Sequence, residues 1–382
     1  MESLVSIRRC DQYETGPLRS VMEKILSDLG GPGAFVKTGD RVLLKPNLLL
    51  ASPPEKAIVT HPNVVEAVAS ILSDAGAKLY LGDSPPTGRL ARALTKSGYD
   101  PFMKRLGIEA VPFVEKHAVR FAEDRVYRRI DLAREVLQFD AVINLAKLKT
   151  HAQMFLTLAV KNLFGTIVGM DKATWHLHAG MDYDNFATVL VQIFEAVKPR
   201  LSIVDGILGM EGNGPSAGKP REVGIIGASR DAVALDATLC RLLGFKIERL
   251  RTCTFGQSMG LGIADAERIR VVSDGLEGFP LKDFKPPRSM MSVTWNLSKR
   301  NPIRRFLENN MVPRPCIDSA VCSGCKTCLE HCPPQAISER SGKMVIDYKK
   351  CISCFCCQEL CTGKAIDIVQ PRFGRVLSRL SR

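Results

Sequence analysis

The 382-residue sequence predicts an α/β fold: a mostly parallel sheet layered with helices, followed by a small cysteine-rich α+β unit at the C-terminus. Three observations carry this. Short runs of branched apolar residues alternate with amphipathic helical patterns as far as residue 272. Proline is dense between 276 and 315. Beyond it, eight cysteines recur at fixed spacing. The expected division is an α/β domain at 1–275, a proline-rich linker at 276–315, the cysteine-rich unit at 316–370 and a basic tail at 371–382.

In chain order, Val21, Ile25, Leu26 and Leu29 recur at helical spacing over 17–30, and Gly30-Gly31 stops the helix. Residues 41–44 form a short buried strand that ends near Pro46. His61-Pro62 opens an amphipathic helix with Val64, Val65, Val68, Ile71 and Leu72 on its apolar face. Proline suits that first turn, where its missing N–H costs nothing. A strand at 77–81, a helix at 90–106 and strands at 108–113 and 140–146 follow. The run 151–169 is apolar nearly all round and reads as a buried helix. Then come a helix at 184–198, strands at 201–204 and 222–226, a helix at 231–243 and a strand at 268–272. The glycine-rich 212–218 reads as a mobile loop or lid, and a short helix is expected near 303–310. The tail at 373–382 reads as a frayed, solvated terminus.

The hydrophobic share of 45% and charged share of 24% are those of a globular chain. No window approaches 18 uninterrupted apolar residues, so no transmembrane segment is expected. The first residues lack the charged-then-apolar pattern of a secretory signal. The formal net charge is +13, and residues 299–382 hold 15 basic groups against seven acidic. No nucleic-acid motif accompanies this excess, so nucleic acid is not expected as a partner. An acidic redox partner or peripheral contact with an anionic membrane surface accounts for it.

Cys322, Cys325, Cys328 and Cys332 follow the spacing C-x2-C-x2-C-x3-C, and Cys351, Cys354, Cys357 and Cys361 repeat it 29 residues later. Ile317, Asp318, Ala336 and Ile337 recur at the same offset, as Ile346, Asp347, Ala365 and Ile366. Such an internal repeat predicts two half-units related by a pseudo-twofold axis. Thiols so close together cannot all pair as disulfides. Zinc prefers two separated pairs, whereas soft thiolates suit iron–sulfur clusters. Clusters and unpaired thiols call for a reducing, cytoplasmic setting. Over about 316–370 the pattern resembles the bacterial two-cluster ferredoxin module. Pro333 follows the fourth cysteine as in that family, while Thr362 stands at the matching place of the second half. The resemblance implies one [4Fe–4S] cluster on Cys322, Cys325, Cys328 and Cys361, and another on Cys351, Cys354, Cys357 and Cys332. Cys356 is left as a spare thiol.

Several strands of the large domain end in polar residues: Lys45 and Asn47; Asp83 and Ser84; Lys147, Lys149 and His151; Asp205, then Glu211 and Asn213. In a parallel sheet these ends share one edge, where ligands bind. Lys161-Asn162 interrupts an apolar run, with Thr157 one turn earlier. An ammonium there must face a structural carboxylate or an anionic ligand. The candidate catalytic residues are therefore Lys45, Asp83, Lys147, His151, Lys161 and Asp205. The lysines and His151 would attract a carboxylate or phosphate, and Asp83, Asp205 or His151 would handle protons. His176-Leu-His178 offers a weaker pair of metal ligands on an extended segment. The segment from Gly212 to Lys219 lacks residues a phosphate loop requires, and no G-x-G-x-x-G follows a strand.

Lys45-Pro46-Asn47, Gly82-Asp83-Ser84-Pro85, the run from Asn144 to His151, Lys161-Asn162-Leu-Phe-Gly165, and Asp205-Gly206 with Glu211-Gly-Asn-Gly-Pro215 resemble, as a set over about 40–240, domain-of-unknown-function family 362. That family often carries a ferredoxin module in the same chain and brings no settled chemistry. The expected function is an iron–sulfur redox protein passing single electrons to or from a small anionic substrate or a redox partner. The alternatives are an electron-carrying docking subunit without its own substrate, and a non-redox enzyme with structural clusters.

Overall fold

A computed structural model describes residues 2–86, 89–180, 182–287, 312–369 and 371. β1 (Ser3–Arg9) leads through α1 (Thr15–Asp28), β2 (Arg41–Pro46) and α2 (Pro62–Asp74) to β3 (Lys78–Asp83). α3 (Leu90–Lys96) and α4 (Asp100–Leu106) precede β4 (Glu109–Pro112) and an outlying hairpin of β5 (Lys116–Arg120) and β6 (Arg129–Ala133). β7 (Ala141–His151), β8 (Phe155–Thr157), α5 (Ala159–Asn162), α6 (Asp171–Ala179) and α7 (Tyr183–Val197) follow. β9 (Leu201–Glu211), β10 (Lys219–Ser229), α8 (Ala232–Leu242), α9 (Arg251–Ser258) and β11 (Ile269–Ser273) complete the large layer.

The main sheet runs β11-β1-β10-β9-β7-β2-β3-β4, with β8 on β7. β10 is antiparallel to both its neighbours, and β8 is antiparallel to β7. The other pairs are parallel. Alternation along the strands sorts side chains into two cores. Leu43, Val142 and Val204 pack with α5 to α9 on one face. Val42, Leu44, Ile143 and Ile203 pack with α1 to α4 on the other. Being covered on both faces, the central strands read as continuous apolar runs.

Some elements differ from expectation. The strand β1 and the β5–β6 hairpin carry no strong periodic signal. The expected helix at 90–106 is two helices, broken where Gly98 adopts φ +77°. The buried helix expected over 151–169 does not form. Instead His151 ends β7, and its Nδ1 accepts the N–H groups of Gln153 (3.1 Å) and Met154 (3.0 Å). Phe155 turns at φ +70°, and β8 runs back along β7. Only α5 is α-helical in that stretch, and Asp236 accepts its first N–H groups, from Ala159 (2.7 Å) and Val160 (3.0 Å). An all-round apolar run fits any fully buried backbone, so its period could not decide between helix and strand.

The cysteine-rich end contains β12 (Arg314–Ile317), α10 (Thr327–Glu330), β13 (Ile337–Arg340), β14 (Lys343–Ile346), α11 (Cys356–Glu359) and β15 (Ile366–Val369). β12 pairs with β15 and β13 with β14. The repeat is visible as a twofold exchange: Asp318 N–H donates to Ala365 O at 2.8 Å, and Asp347 N–H to Ala336 O at 2.7 Å. Of the proline-rich stretch, Phe284 lies in the large core and Leu281 N–H bonds Leu242 O. The helix expected at 303–310 and the 373–382 tail fall outside the described residues. No described helix is long and apolar enough to cross a membrane.

Two helix caps separate a local from a tertiary role. Among the described residues, the Asp182 carboxylate accepts only from Asp184 N–H (3.0 Å) and Asn185 N–H (3.2 Å), at the start of α7. Asp231 caps α8 through Val233 and Ala234 and also accepts from Ser3 Oγ (2.6 Å) and Ile263 N–H (2.9 Å). Asp182→Ala should cost about 1 kcal/mol and Asp231→Ala roughly 3 kcal/mol in anaerobic chemical unfolding, because the second strands buried donors beyond the helix.

Candidate functional site

β2, β3 and β4 step outward in sequence order, whereas β7 joins on the other side of β2. The carboxyl ends of β2 and β7 therefore flank a crevice, because their connections leave in opposite directions. A cleft of about 100 Å³ lies there. β2 brings Lys45, β3 brings Asp83, and β7 brings Lys147, Lys149 and His151. α5 adds Lys161, and α6 adds Lys172 and His176. Asp205 of β9 stands behind Lys147. The six residues singled out from the sequence thus gather at one edge of the sheet.

Two of the lysines are neutralised. Lys45 Nζ lies 3.0 Å from Asp83 Oδ1, and Asp83 Oδ2 accepts Leu48 N–H at 2.9 Å. Lys147 Nζ lies 2.7 Å from Asp205 Oδ2 and donates to the Tyr13 hydroxyl at 3.0 Å. That hydroxyl donates to Asp205 Oδ1 at 2.8 Å, and its ring stacks on His61 at 3.6 Å. Asp205 also accepts His61 N–H at 2.9 Å. Burial lowers the pKa of both ammonium groups, and the carboxylates oppose it. Desolvated pairs hold only when their remaining valences are bonded, as they are here.

Among the described residues, the other three lysines have no carboxylate within ion-pair distance. Lys149 Nζ donates to Ile58 O at 2.7 Å and weakly to Asn47 Oδ1 at 3.4 Å. Lys172 Nζ donates to Ser84 Oγ at 3.0 Å and to Ile167 O. Lys161 Nζ rides over the rings of Phe164 (5.5 Å) and Phe186 (5.9 Å). Burial, reinforced by the Lys161 charge, lowers Lys149 to about 7. Burial brings Lys172 to about 7 as well. Asn162 beside Lys161 is a tie, donating to Asn144 Oδ1 at 2.8 Å.

The far wall comes from the cysteine-rich end. Glu359 of α11 enters the cleft, and its Oε1 lies 2.8 Å from His151 Nε2. Because His151 Nδ1 accepts two backbone N–H groups, the ring proton belongs on Nε2, on the Glu359 side. The two atoms are in ion-pair contact, and neither completes a hydrogen bond. Burial holds His151 at about 4, so the ring is neutral near pH 7. Burial pushes Glu359 up, but the His151 contact and the Lys161 ammonium outweigh it and hold the carboxyl down. Cys356 and Leu360 flank Glu359 on the same wall.

His176 and His178 do not form the extended metal pair considered from the sequence. They sit on helix α6, where positions two apart face different sides. His176 is buried 4.4 Å from the Phe186 ring, and His178 is exposed. Nor is 212–218 a free lid. Asn213 O accepts from Gln358 Nε2 at 3.0 Å, and Ser216 Oγ donates to Gln358 O at 3.3 Å. A Cβ on Gly214 would meet Thr150 O at 2.1 Å, so only glycine fits there. The loop seats α11 over the sheet edge. Phe355 adds an apolar contact with Ala152 and Ile368.

Two small hollows lie within the cysteine-rich end. One is bordered by Cys322, Cys325, Cys328 and Cys361, the other by Cys332, Cys351, Cys354 and Cys357. Backbone N–H groups of Ala336, Ser353 and Ala365 donate to the sulfurs of Cys332 (3.2 Å), Cys351 (3.5 Å) and Cys361 (3.2 Å). Sequence reasoning missed Glu359, Lys172, Tyr13 and His61 as parts of the site. Each is set there by a tertiary contact for which no spacing rule exists.

Gly165 is where the site is tightest. A methyl there would come within 2.3 Å of Asp83 Oδ1 and 2.6 Å of Lys45 Nζ. Gly165→Ala should therefore lower stability by about 1–3 kcal/mol and displace that ion pair. Gly16→Ala, which meets nothing within 4 Å, serves as the matched control in thermal unfolding.

Residues 42–241 match the family model described as Domain of unknown function (DUF362). The chain is 41% identical over 300 residues to a thylakoid-associated protein of Synechocystis sp., covering 78% of this chain and 92% of that protein. Shorter likenesses reach dihydromethanopterin reductase (acceptor) of Methanosarcina mazei and pyruvate synthase subunit PorD of Methanocaldococcus jannaschii. The first is 47% identical over 53 residues, covering 13% of this chain and 22% of the reductase. The second is 38% identical over 58 residues, covering 15% of this chain and 67% of that subunit. Among solved structures, the lactate racemase apoprotein of Thermoanaerobacterium thermosaccharolyticum aligns at a TM-score of 0.41 and 9% identity, covering 62% of this chain and 56% of that one. From the matched residues and the extent of the cyanobacterial likeness, this chain belongs to the DUF362 family.

Proposed function

We propose that this protein is an iron–sulfur electron carrier with its own substrate site. In this reading two [4Fe–4S] clusters in residues 316–370 exchange single electrons with a small anionic substrate held by the α/β domain, 1–275. The observation that carries it is α11. Within four residues this helix gives Cys357 to one four-cysteine hollow and Cys356 and Glu359 to the cleft wall. At about 1.5 Å of rise per residue, the hollow and the cleft are near neighbours. The short likenesses to a reductase and to a pyruvate synthase subunit support the same reading.

The donors fit such clusters. Four thiolates on one zinc ion, at about 2.3 Å each, would stand ~3.8 Å apart. Among the described residues four cysteines ring each hollow, three from one C-x2-C-x2-C run and the fourth from the other half of the repeat. That favours a larger sulfur-bridged group, with Cys322, Cys325, Cys328 and Cys361 on one and Cys332, Cys351, Cys354 and Cys357 on the other. When bound, such clusters supply one-electron transfer, with potentials tuned by hydrogen bonds to sulfur. The chain supplies those bonds through Ala336, Ser353 and Ala365.

In the cleft, Lys149, Lys161 and Lys172 would attract the anion. Asp83 and Asp205 are committed to Lys45 and Lys147, which leaves the Nε2–H of His151 and the unpaired ammonium groups as the proton donors of the cleft. The basic excess of residues 299–382 suits an acidic redox partner, and the thylakoid-associated relative supports peripheral membrane contact for this chain too.

Anaerobically purified protein should hold about eight iron and eight sulfide per chain and give an EPR signal on reduction. Cys351→Ser should remove about half of the iron. Reduced protein that no small carboxylate or phosphate compound can reoxidise would sink the substrate half of the proposal.

Anion binding should depend on pH with a definite sign. Lys149 and Lys172 titrate at about 7 in the free cleft. A bound anion stabilises their charged forms and raises both pKa values. Affinity is therefore fully present below about 7 and falls by up to about tenfold per unit for each proton taken up, as pH rises toward the bound value. Calorimetric titration with sulfate, a dianion throughout this range, at about pH 6 and pH 8.5 checks it. A flat profile would mean these lysines do not hold the anion.

A further inference from the structure

Of the five lysines that line the cleft, four donate to oxygen acceptors. Lys45 and Lys147 face carboxylates, and Lys149 and Lys172 donate to backbone and side-chain oxygens. Lys161 differs. Among the described residues its Nζ has neither a hydrogen-bond acceptor nor an ion pair, only the faces of Phe164 and Phe186. It is half-buried, reached from the cleft and bordered by the apolar Leu158. Burial lowers its pKa, with Glu359 and Cys356 opposing. A lysine set among apolar groups and close to other cations is the setting in which an amine becomes a nucleophile at moderate pH. Losing its proton weakens no hydrogen bond, whereas the bonds its four neighbours donate are strengthened by their charge and would weaken without it.

We propose that Lys161 captures carbonyl compounds: it forms an imine with a small aldehyde or ketone that also carries a carboxylate or phosphate. This rests on the reading of the cleft as an anion site and names the substrate class more closely. Lys149 and Lys172 hold the anionic group. The Lys161 nitrogen attacks the carbonyl carbon, a C–N bond forms, and the carbonyl oxygen leaves as water with the two amine protons. No oxidant or reductant is consumed. Lys161 in this role touches the reacting carbon and is a catalytic residue.

The test traps the imine in the full-length, anaerobically purified protein. Glyoxylate is the probe and sodium cyanoborohydride the trapping reductant, and peptide mass mapping locates the carboxymethyl groups left on lysine. Labelling of Lys161 should outrun that of exposed lysines such as Lys343 and Lys364 by roughly tenfold or more, as expected for a positioned reactant. Inorganic phosphate should slow labelling at Lys161 and leave the exposed sites unchanged. Lys161→Arg keeps the charge and should abolish the phosphate-sensitive label while retaining iron content. Comparable labelling of exposed lysines, or indifference to phosphate, overturns the proposal, and the wild-type map alone decides this if the variant fails to fold. Iron and sulfide analysis of the same preparation separates the two readings. Label without iron would remove the electron-carrier reading only, and iron without preferential label would remove only this one.

Discussion

Charge held away from water is the constraint on which this structure depends. Five lysines line one small cleft, and three carboxylates stand against them: Asp83, Asp205 and Glu359. An isolated buried ammonium loses several kcal/mol of hydration, so such a set persists only if most members are paired or bonded. The sheet solves part of this locally, by placing Lys45 beside Asp83 and Lys147 beside Asp205 on neighbouring strands. The Tyr13–His61 stack and the His61 N–H complete the second pair. What the sheet leaves over is positive, and that surplus is what the anion-binding proposal rests on.

The third carboxylate ties the two ends of the chain together. Glu359 reaches the sheet edge from a helix whose other face belongs to a cysteine hollow. The contact is reinforced by Gln358 with the 212–218 loop, by Phe355 on Ala152, and by Leu360, which joins the core of the large domain. The cleft is walled on one side by a sheet edge and on the other by a helix that also borders a cysteine hollow. This arrangement makes sense of a pocket-forming domain and a cysteine repeat in one chain.

Much of this was legible in the residues alone. Branched runs alternating with amphipathic helices gave the layered sheet, because burial on both faces leaves a periodic trace. The strand-end polar residues, from Lys45 to Asp205, meet at one edge, since parallel strands deliver their carboxyl ends together. The cysteine spacing and the 29-residue repeat are covalent facts about the chain, and the twofold exchange of Asp318 and Asp347 bonds follows from them. Residues 151–169 were misread because a segment buried on every side has no polar face to set its phase. Its path was decided by the His151 cap and the left-handed turn at Phe155.

The sequence by itself therefore determined the layers, the edge at which polar groups meet and the two sets of thiols, because each is written in local period or spacing. Only the tertiary structure decided which lysines face a carboxylate and which, among the described residues, do not, and that Glu359 lines the cleft. Those outcomes depend on distances between residues far apart in the chain, and electrostatic energy follows distance in space rather than separation in sequence.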